Sequence, residues 1–560
     1  MNLLAMGINL WQDDAELEGY ASTCGHEVRT LGLAEHAKYY TFAATETAEQ
    51  VVARISREWP VDLLLCGCPE TYPPPLAIEH CPVKTAAVIS DWNLYQPQLE
   101  HNLARFDVVV SDLMGTRKLH LSGATPVYLG PIYSQRPQVH RDLGRTRDID
   151  VGFFGNLSPA AHPRRTRLLG KIARMPEDYC IHFSGEHQPR EYAGLLNRCR
   201  VAFNASLRGE MNLRCFEAPA CGALLFIERD NEEASAVFAD GETAVFYTED
   251  DLVEKLEHYL GNEAERERIA RAGQALIRGM SGVQRLDSFL KQLAEHPSGG
   301  RAFHGFDAPT RLRAEAMLCS SAYAPEQHAV AHAALVQWLA ELPHDPAAML
   351  ANGCHLLDAA GWAEGIERKQ LAQQAGGLFE RAAQTAPEDA TPWHNLGVLM
   401  AQARQPEVAD RMYGRAIQAP ATQLGAFALG KRSDPCYTDL RWRLALGEQA
   451  GPAVSAMSAI ARARGRLQRG DTREAMDLMD ALPGLRQNPQ ACTLAGEAAQ
   501  REGNSQQAVA LLRQGLEHDP FSPTLHEGFA ACCTSPEQAD EAQEAAGLIL
   551  SRCTYTAATG

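Results

Sequence analysis

The sequence predicts an α/β region built from two sheet-forming units, followed by an all-α region. Three observations carry this. Short apolar runs at residues 3–8, 61–66, 84–89 and 108–110 alternate with helical stretches such as 47–59, the pattern of a parallel sheet covered by helices. A second set of runs follows at 150–154, 180–183, 200–203 and 223–227, again with helical segments between them. From about residue 310 the chain turns rich in alanine and leucine at helical spacing, with no strand-like runs.

Composition sets the class. At 560 residues the chain is long enough for about two to four domains, each with its own core. With 45% hydrophobic and 22% charged residues it reads as soluble and globular. A net charge of −18 argues against nucleic acid or an anionic membrane as the main ligand. The start of the chain lacks the basic residues and long apolar core of a signal peptide, and no run approaches the roughly 18 apolar residues of a membrane span, so a cytoplasmic location is expected. Fifteen scattered cysteines suit a reducing compartment, and the close pairs Cys66/Cys68 and Cys532/Cys533 have no second pair at zinc-site spacing.

In a parallel sheet, ligands bind beyond the carboxyl ends of the strands. Gly7, Ile8 and Asn9 follow the first run, Ser90 and Asp91 follow the run beginning near Lys84, and Asp112 ends another. Asp91 is the candidate acceptor-side carboxylate, placed to take a hydroxyl proton as a general base; an aspartate there also suits a cap on the next turn. Residues 126–150, rich in proline and arginine, read as the hinge between the two units.

The second unit opens with a strand ended by Gly155 and Asn156, followed by Arg164, Arg165 and Arg167. A glycine-ended strand followed by arginines suits a pyrophosphate, because each charge-assisted hydrogen bond is worth roughly 1.5–3 kcal/mol. One of Arg164 and Arg165, taken as Arg164, is expected to touch it. The whole chain is organised around residues 204–222, read as a loop, a short helix and a buried strand. Arg214 and Glu217, three apart, share one face near the helix start. Unpaired backbone N–H groups there, with a nearby arginine, seat phosphate oxygens, and the glutamate suits a ribose. The pairing points to a sugar-nucleotide diphosphate. Pro219 inside the helix predicts a short or kinked element. His182, in a strand, reads as a packed residue, and Asn204 suits either a turn or ligand contact.

The ordered set Val151-Gly-Phe-Phe-Gly-Asn156, Glu191-Tyr192-Ala193, Ala202-Phe203-Asn204, Arg214-Cys-Phe-Glu217 and Ala220-Cys-Gly222, with the downstream block from Phe238, resembles the nucleotide-binding half of a GT-B glycosyltransferase. It is similar to the CgeB-like group, related to glycosyltransferase families 1 and 4. The resemblance spans about 148–294 well and the first unit more loosely. It implies two Rossmann-like domains, residues 1–145 on the acceptor side and 146–295 on the donor side, with 283–295 the closing helix and 296–310 a linker. It also implies donor contacts at Gly7, Gly155, Asn156, Arg164, Gly185, Asn204, Arg214 and Glu217, a nucleotide-sugar co-substrate, no further cofactor and no metal. Related retaining enzymes place two glutamates one residue further apart than Glu210 and Glu217, so only Glu217 is carried over and the stereochemistry stays open.

Residues 311–560 carry a 34-residue period: Ala375, Phe379 and Ala382 recur as Ala409, Tyr413 and Ala416. With Trp393, Leu396 and Gly397 they resemble a tetratricopeptide repeat, and looser copies surround Ala463/Ala475 and Gly496/Ala508/Leu512/Pro520, with a break at 420–452. The combination is similar to O-GlcNAc transferase and bacterial flagellin glycosyltransferases, although here the repeats follow the enzyme unit. It implies transfer to Ser or Thr of a protein acceptor recruited by the repeats. Two other readings stay open: a lipopolysaccharide or capsule acceptor, and a non-catalytic scaffold.

Overall fold

The computed structural model describes residues 1–7, 14–33, 38–93, 95, 99–159, 162–185, 187–280, 282–297, 301–320, 325–420, 424, 450–481 and 484–554. Ile8, Asn9, residues 298–300 of the expected linker and most of 420–452 therefore lie outside the described residues.

The first unit is a six-stranded sheet of β1 (Asn2–Met6), β2 (Glu27–Leu33), β3 (Tyr40–Phe42), β4 (Leu63–Gly67), β5 (Lys84–Val88) and β6 (Val108–Val110). Its order is β3-β2-β1-β4-β5-β6, and every pair is parallel. The central strands are apolar on both faces because helices cover both. The helix expected at 47–59 runs from Ala48 to Ile55, opened by a Thr47–Gln50 capping box and turning Val51, Val52 and Ile55 into the core. β2 and β3 add to the runs expected from sequence.

The second sheet contains β7 (Ile149–Phe154), β8 (Ile181–Ser184), β9 (Cys199–Phe203), β10 (Leu224–Glu228), β11 (Val245–Tyr247) and β12 (Cys553–Thr554). Its order is β11-β10-β9-β7-β8-β12, again wholly parallel. Helices Leu252–Gly261 and Glu263–Arg278 cover it, and the helix Gly282–Glu295 crosses back to bury Leu286, Leu290 and Leu293 against the first unit. The helix bearing Arg214 spans only Arg214–Ala220, so Pro219 lies in its last turn, and Gly222 ends the connection at φ +78°.

From Ala308 onward the described chain is helical until β12, and consecutive helices pack in pairs. Small residues set their approach. A Cβ on Gly397 would lie 2.5 Å from the Tyr413 ring, and one on Gly496 would lie 2.6 Å from Leu512, each partner sixteen residues on. Between two pairs, Asp410 binds Arg462, Arg466 and Arg469, and its hydrogen bonds and charges hold its carboxyl down near 2 against burial.

Two expectations are corrected. The stretch after 300 is no free linker. Arg301 bridges Asp107 at 3.0 and 2.8 Å and donates to the carbonyls of Glu79, Cys81 and Val83, while Glu315 accepts from Arg105 and from the Ala77 N–H, both at 2.8 Å. Nor is the helical region free of strands, because its end supplies β12 to the second sheet. There Arg552 donates to the carbonyls of Ala173, Met175, Pro176 and Tyr179, satisfying the end of the helix Pro163–Ala173. Pro520 and Phe521 pack on Gly170 and Phe183. The array is therefore anchored on both units.

Replacing Arg552 with alanine leaves four carbonyls without these donors. The Arg552→Ala chain is expected to lose about 2–4 kcal/mol in denaturant unfolding, with an unchanged midpoint contradicting the docked end.

Candidate functional site

Between the carboxyl ends of the two sheets lies a cavity of about 680 Å³. The first unit contributes Cys68 and Thr71 after β4 and Ser90 and Asp91 after β5; the hinge adds Tyr133 and Arg136. The second unit contributes Phe154 at the end of β7 and Gly155 after it, Gly185 after β8, Arg165, His187, Tyr192, Arg214 and Glu217.

Of the residues singled out from sequence, the structure brings Asp91, Gly155, Gly185, Arg214 and Glu217 to this cavity. Gly155 has φ +151°, and a Cβ there would lie 2.9 Å from the Arg214 guanidinium, so glycine is what lets that arginine reach the strand end. Gly185 is open to space. Four others sit elsewhere. Gly7 has φ +62° and packs against the Gly67 carbonyl and Tyr72, away from the lining. Asn156 accepts from the Ser158 N–H at 2.8 Å and closes its own turn. Arg164 points outward to Asp230 at 2.7 Å; its neighbour Arg165, one helical step round, is the lining arginine. Asn204 is fully buried behind the wall, where its Oδ1 accepts from Arg214 at 3.1 Å and Asn212 at 2.9 Å. His182 is a packing residue, edge-on to Phe154.

The electrostatics are lopsided. Arg165 is buried with its donors on the carbonyls of Ala205 and Asn156. Burial, and then the charge of Arg214, lower its pKa to about 10. Arg214 donates to Asn204 and to the Phe154 carbonyl and lies 4.2 Å from the Phe153 ring centroid. Neither of these two arginines has a salt bridge to a carboxylate among the described residues. Glu217 is the acidic residue facing them from its own helix. Burial lifts its carboxyl to about 7, while the charges of Arg214 and Arg136 and a hydrogen bond from Tyr192 pull the other way. His140 Nε2 approaches it at 3.5 Å. The cavity thus sets two buried arginines beside a carboxyl whose proton burial retains.

Two buried residues beside the lining, Arg208 and Glu70, carry no signal in the sequence. Arg208, on the loop between β9 and the Arg214 helix, crosses the cleft to Asn93 at 2.9 Å, Asp112 at 3.3 Å and Asp91 at 3.5 Å, and donates to the Ser90 carbonyl. Burial opposes its charge, but Glu210, Asp112 and Asp91 outweigh that and hold it firmly protonated. Glu70 is fully buried beneath the β5 end, where its Oε1 accepts from Ser90 N–H at 2.9 Å, Asp91 N–H at 3.0 Å and Ser90 Oγ at 3.2 Å. It fixes the turn that presents Asp91, whose side chain is 49% exposed. No local sequence pattern marks either residue. Glu210 accepts from the N–H groups of Leu207 and Arg208 and shapes that loop.

Residues 141–291 match the family model described as Glycosyl transferase-like. The matched stretch, which carries β7 to β11 with Arg165, Arg214 and Glu217, is similar to a glycosyl transferase domain. No curated protein matches the chain. Among solved structures, sucrose-phosphate synthase from Thermosynechococcus elongatus is 10% identical, over 52% of this chain and 98% of that one, with a TM-score of 0.38. Anabaena HepE in complex with UDP and glucose is 14% identical over 53% of this chain and 98% of that one, TM-score 0.37. MamA from Desulfovibrio magneticus RS-1 is 11% identical over 33% and 87%, TM-score 0.25. At scores this low, the function rests on the site's own residues. Among the described residues no helix is long and apolar enough to cross a membrane, and no cluster of three or more His, Cys, Asp or Glu is placed to hold a metal ion.

Because Glu217 has a raised pKa in the folded chain, it keeps a proton that the unfolded chain releases between about pH 4.5 and 7. Stability therefore falls as pH rises through that window and levels off above it. Glu217→Gln should remove the fall, gaining about 3 kcal/mol on wild type at pH 8 relative to pH 4 in thermal unfolding. A pH-independent difference between the two chains would show that Glu217 is not perturbed.

Proposed function

We propose that this protein is a glycosyltransferase that takes a sugar from a nucleoside-diphosphate donor held at the Arg214/Glu217 wall and passes it to a hydroxyl acceptor entering from the Asp91 side. The observation that carries the reading is the cavity's buried arginine charge, three arginines at the strand ends where ligands of such sheets bind, none of them in a direct salt bridge among the described residues. A diphosphate supplies the missing negative charge. In transfer, the acceptor hydroxyl gives its proton to Asp91 as its oxygen bonds to the anomeric carbon, and the bond from that carbon to the diphosphate breaks. The charge left on the departing phosphate meets Arg165 and Arg214, a field preorganised by their own hydrogen bonds. These arginines are the countercharge, so the mechanism asks for no metal.

The acceptor is proposed to be a protein, glycosylated on Ser or Thr as in flagellin-type modification, and held by the tetratricopeptide-like array. The glycine-to-large-residue contacts at 397/413 and 496/512 support that reading of the array. Docking at both ends makes the array a fixed platform rather than a swinging arm, so it presents a partner at a set place relative to the cleft.

The test is thermal stabilisation of the full chain by UDP, GDP, CDP, ADP and dTDP and by their sugar conjugates, without added metal. A ligand at one hundred times its dissociation constant should stabilise by about 2.7 kcal/mol, a readable rise in Tm. One nucleotide is expected to stand out; no shift with any of them would contradict the reading.

A further inference from the structure

The hinge contributes a charged group to the cavity for which the reaction above gives no role. Arg136 lies in the crossing between β6 and β7, is 8% exposed and lines the cavity. Its backbone is fixed, since its carbonyl accepts from Val139 N–H at 3.0 Å and His140 N–H at 2.7 Å. Its side chain is the exception among the three lining arginines. Arg165 uses Nε and both terminal nitrogens on the carbonyls of Ala205 and Asn156, and Arg214 uses both terminal nitrogens on Phe154 and Asn204. The Arg136 guanidinium makes no hydrogen bond or ion pair to any described residue. Five donors on a largely buried side chain at the wall of an open cavity, with no described protein acceptor, are free to meet an acceptor that arrives from outside.

We propose that Arg136 is the hinge-borne residue that clasps the donor's diphosphate, an inference that rests on the nucleotide-sugar reading. The three arginines then divide the work. Arg165 and Arg214 are pinned by the protein and supply fixed positive charge. Arg136 supplies the free planar fork, which matches two phosphate oxygens at once. Glu217 and His140 feel its charge: the field of Arg136 acts to lower the pKa of both. Neither lies within ion-pair distance of it, so neither takes the place of the ligand. Because the residue sits on the hinge while the other two sit on helices of the second unit, a bound diphosphate joins the hinge to that unit. A nucleoside without phosphates joins nothing.

The test uses the full chain and calorimetric titration of wild type, Arg136→Ala and Arg136→Lys. The probes are the tightest-binding of the five nucleoside diphosphates above, its parent nucleoside, and inorganic pyrophosphate. Arg136→Ala is expected to weaken the nucleoside diphosphate and pyrophosphate by about ten-fold or more, the scale of a charge-assisted bidentate contact, and to leave the nucleoside unchanged. Arg136→Lys should fall between, keeping the charge and losing the fork. Equal affinity of Arg136→Ala and wild type for the diphosphate would overturn the assignment and leave the nucleotide reading standing. Equal losses for nucleoside and diphosphate would mark Arg136 as structural and overturn it too. Failure of wild type to bind any nucleoside diphosphate would overturn both readings together.

Discussion

Buried arginines held without a direct salt bridge are the constraint on which the rest of the site depends. An arginine taken out of water is tolerated when a carboxylate or several carbonyls replace the lost hydration. Arg208 shows the satisfied case, with Asp91, Asp112 and Glu210 around it. Arg165 and Arg214 are half satisfied, with carbonyl and amide oxygens for their donors but no counterion. Arg136 is satisfied by nothing in the described protein. On the proposed reading, this gradient from one side of the cavity to the other makes the far wall the anion site, while Asp91 on the near wall is held beside Arg208.

The surroundings serve that division. Gly155 clears the strand end so that the Arg214 guanidinium can lie against it. Tyr247 donates to the Asn204 carbonyl at 2.6 Å, and Asn204 in turn holds Arg214. Across the cleft, Glu70 gathers the N–H groups of Ser90 and Asp91 onto one carboxylate oxygen, and burial raises its pKa to about 6. Each wall is thus preset by buried polar contacts, the arrangement that lets a site stabilise charge without reorganising. The helical array adds a constraint of a different kind. It leaves the first unit through Arg301 and Glu315 and returns to the second through Arg552 and β12, so the two sheets are linked through the hinge, the crossing helix Gly282–Glu295 and the array.

Much of this was legible in the sequence, for physical reasons that also explain what was not. Runs such as Leu63–Gly67 and Leu224–Glu228 are apolar on both faces because they lie mid-sheet, and they stand out. β3 has three residues and β12 two, too short for any periodicity. Spacing within one helix was readable, as with Arg214 and Glu217; the rotation of a helix about its axis was not, and that rotation separates Arg164, paired with Asp230, from Arg165 in the cavity. Contacts that join distant segments left no local trace. Arg208 reaches partners more than ninety residues away, and Arg136 stands in a proline- and arginine-rich stretch that reads as a connector.

The most direct measurement is a crystal structure of the full chain with the nucleoside diphosphate that stabilises it most. The two phosphates are expected within hydrogen-bond distance of the Arg136 guanidinium, beside Arg165 and Arg214, with the ribose toward Glu217. A nucleotide bound elsewhere, or phosphates turned away from these arginines, would contradict this placement.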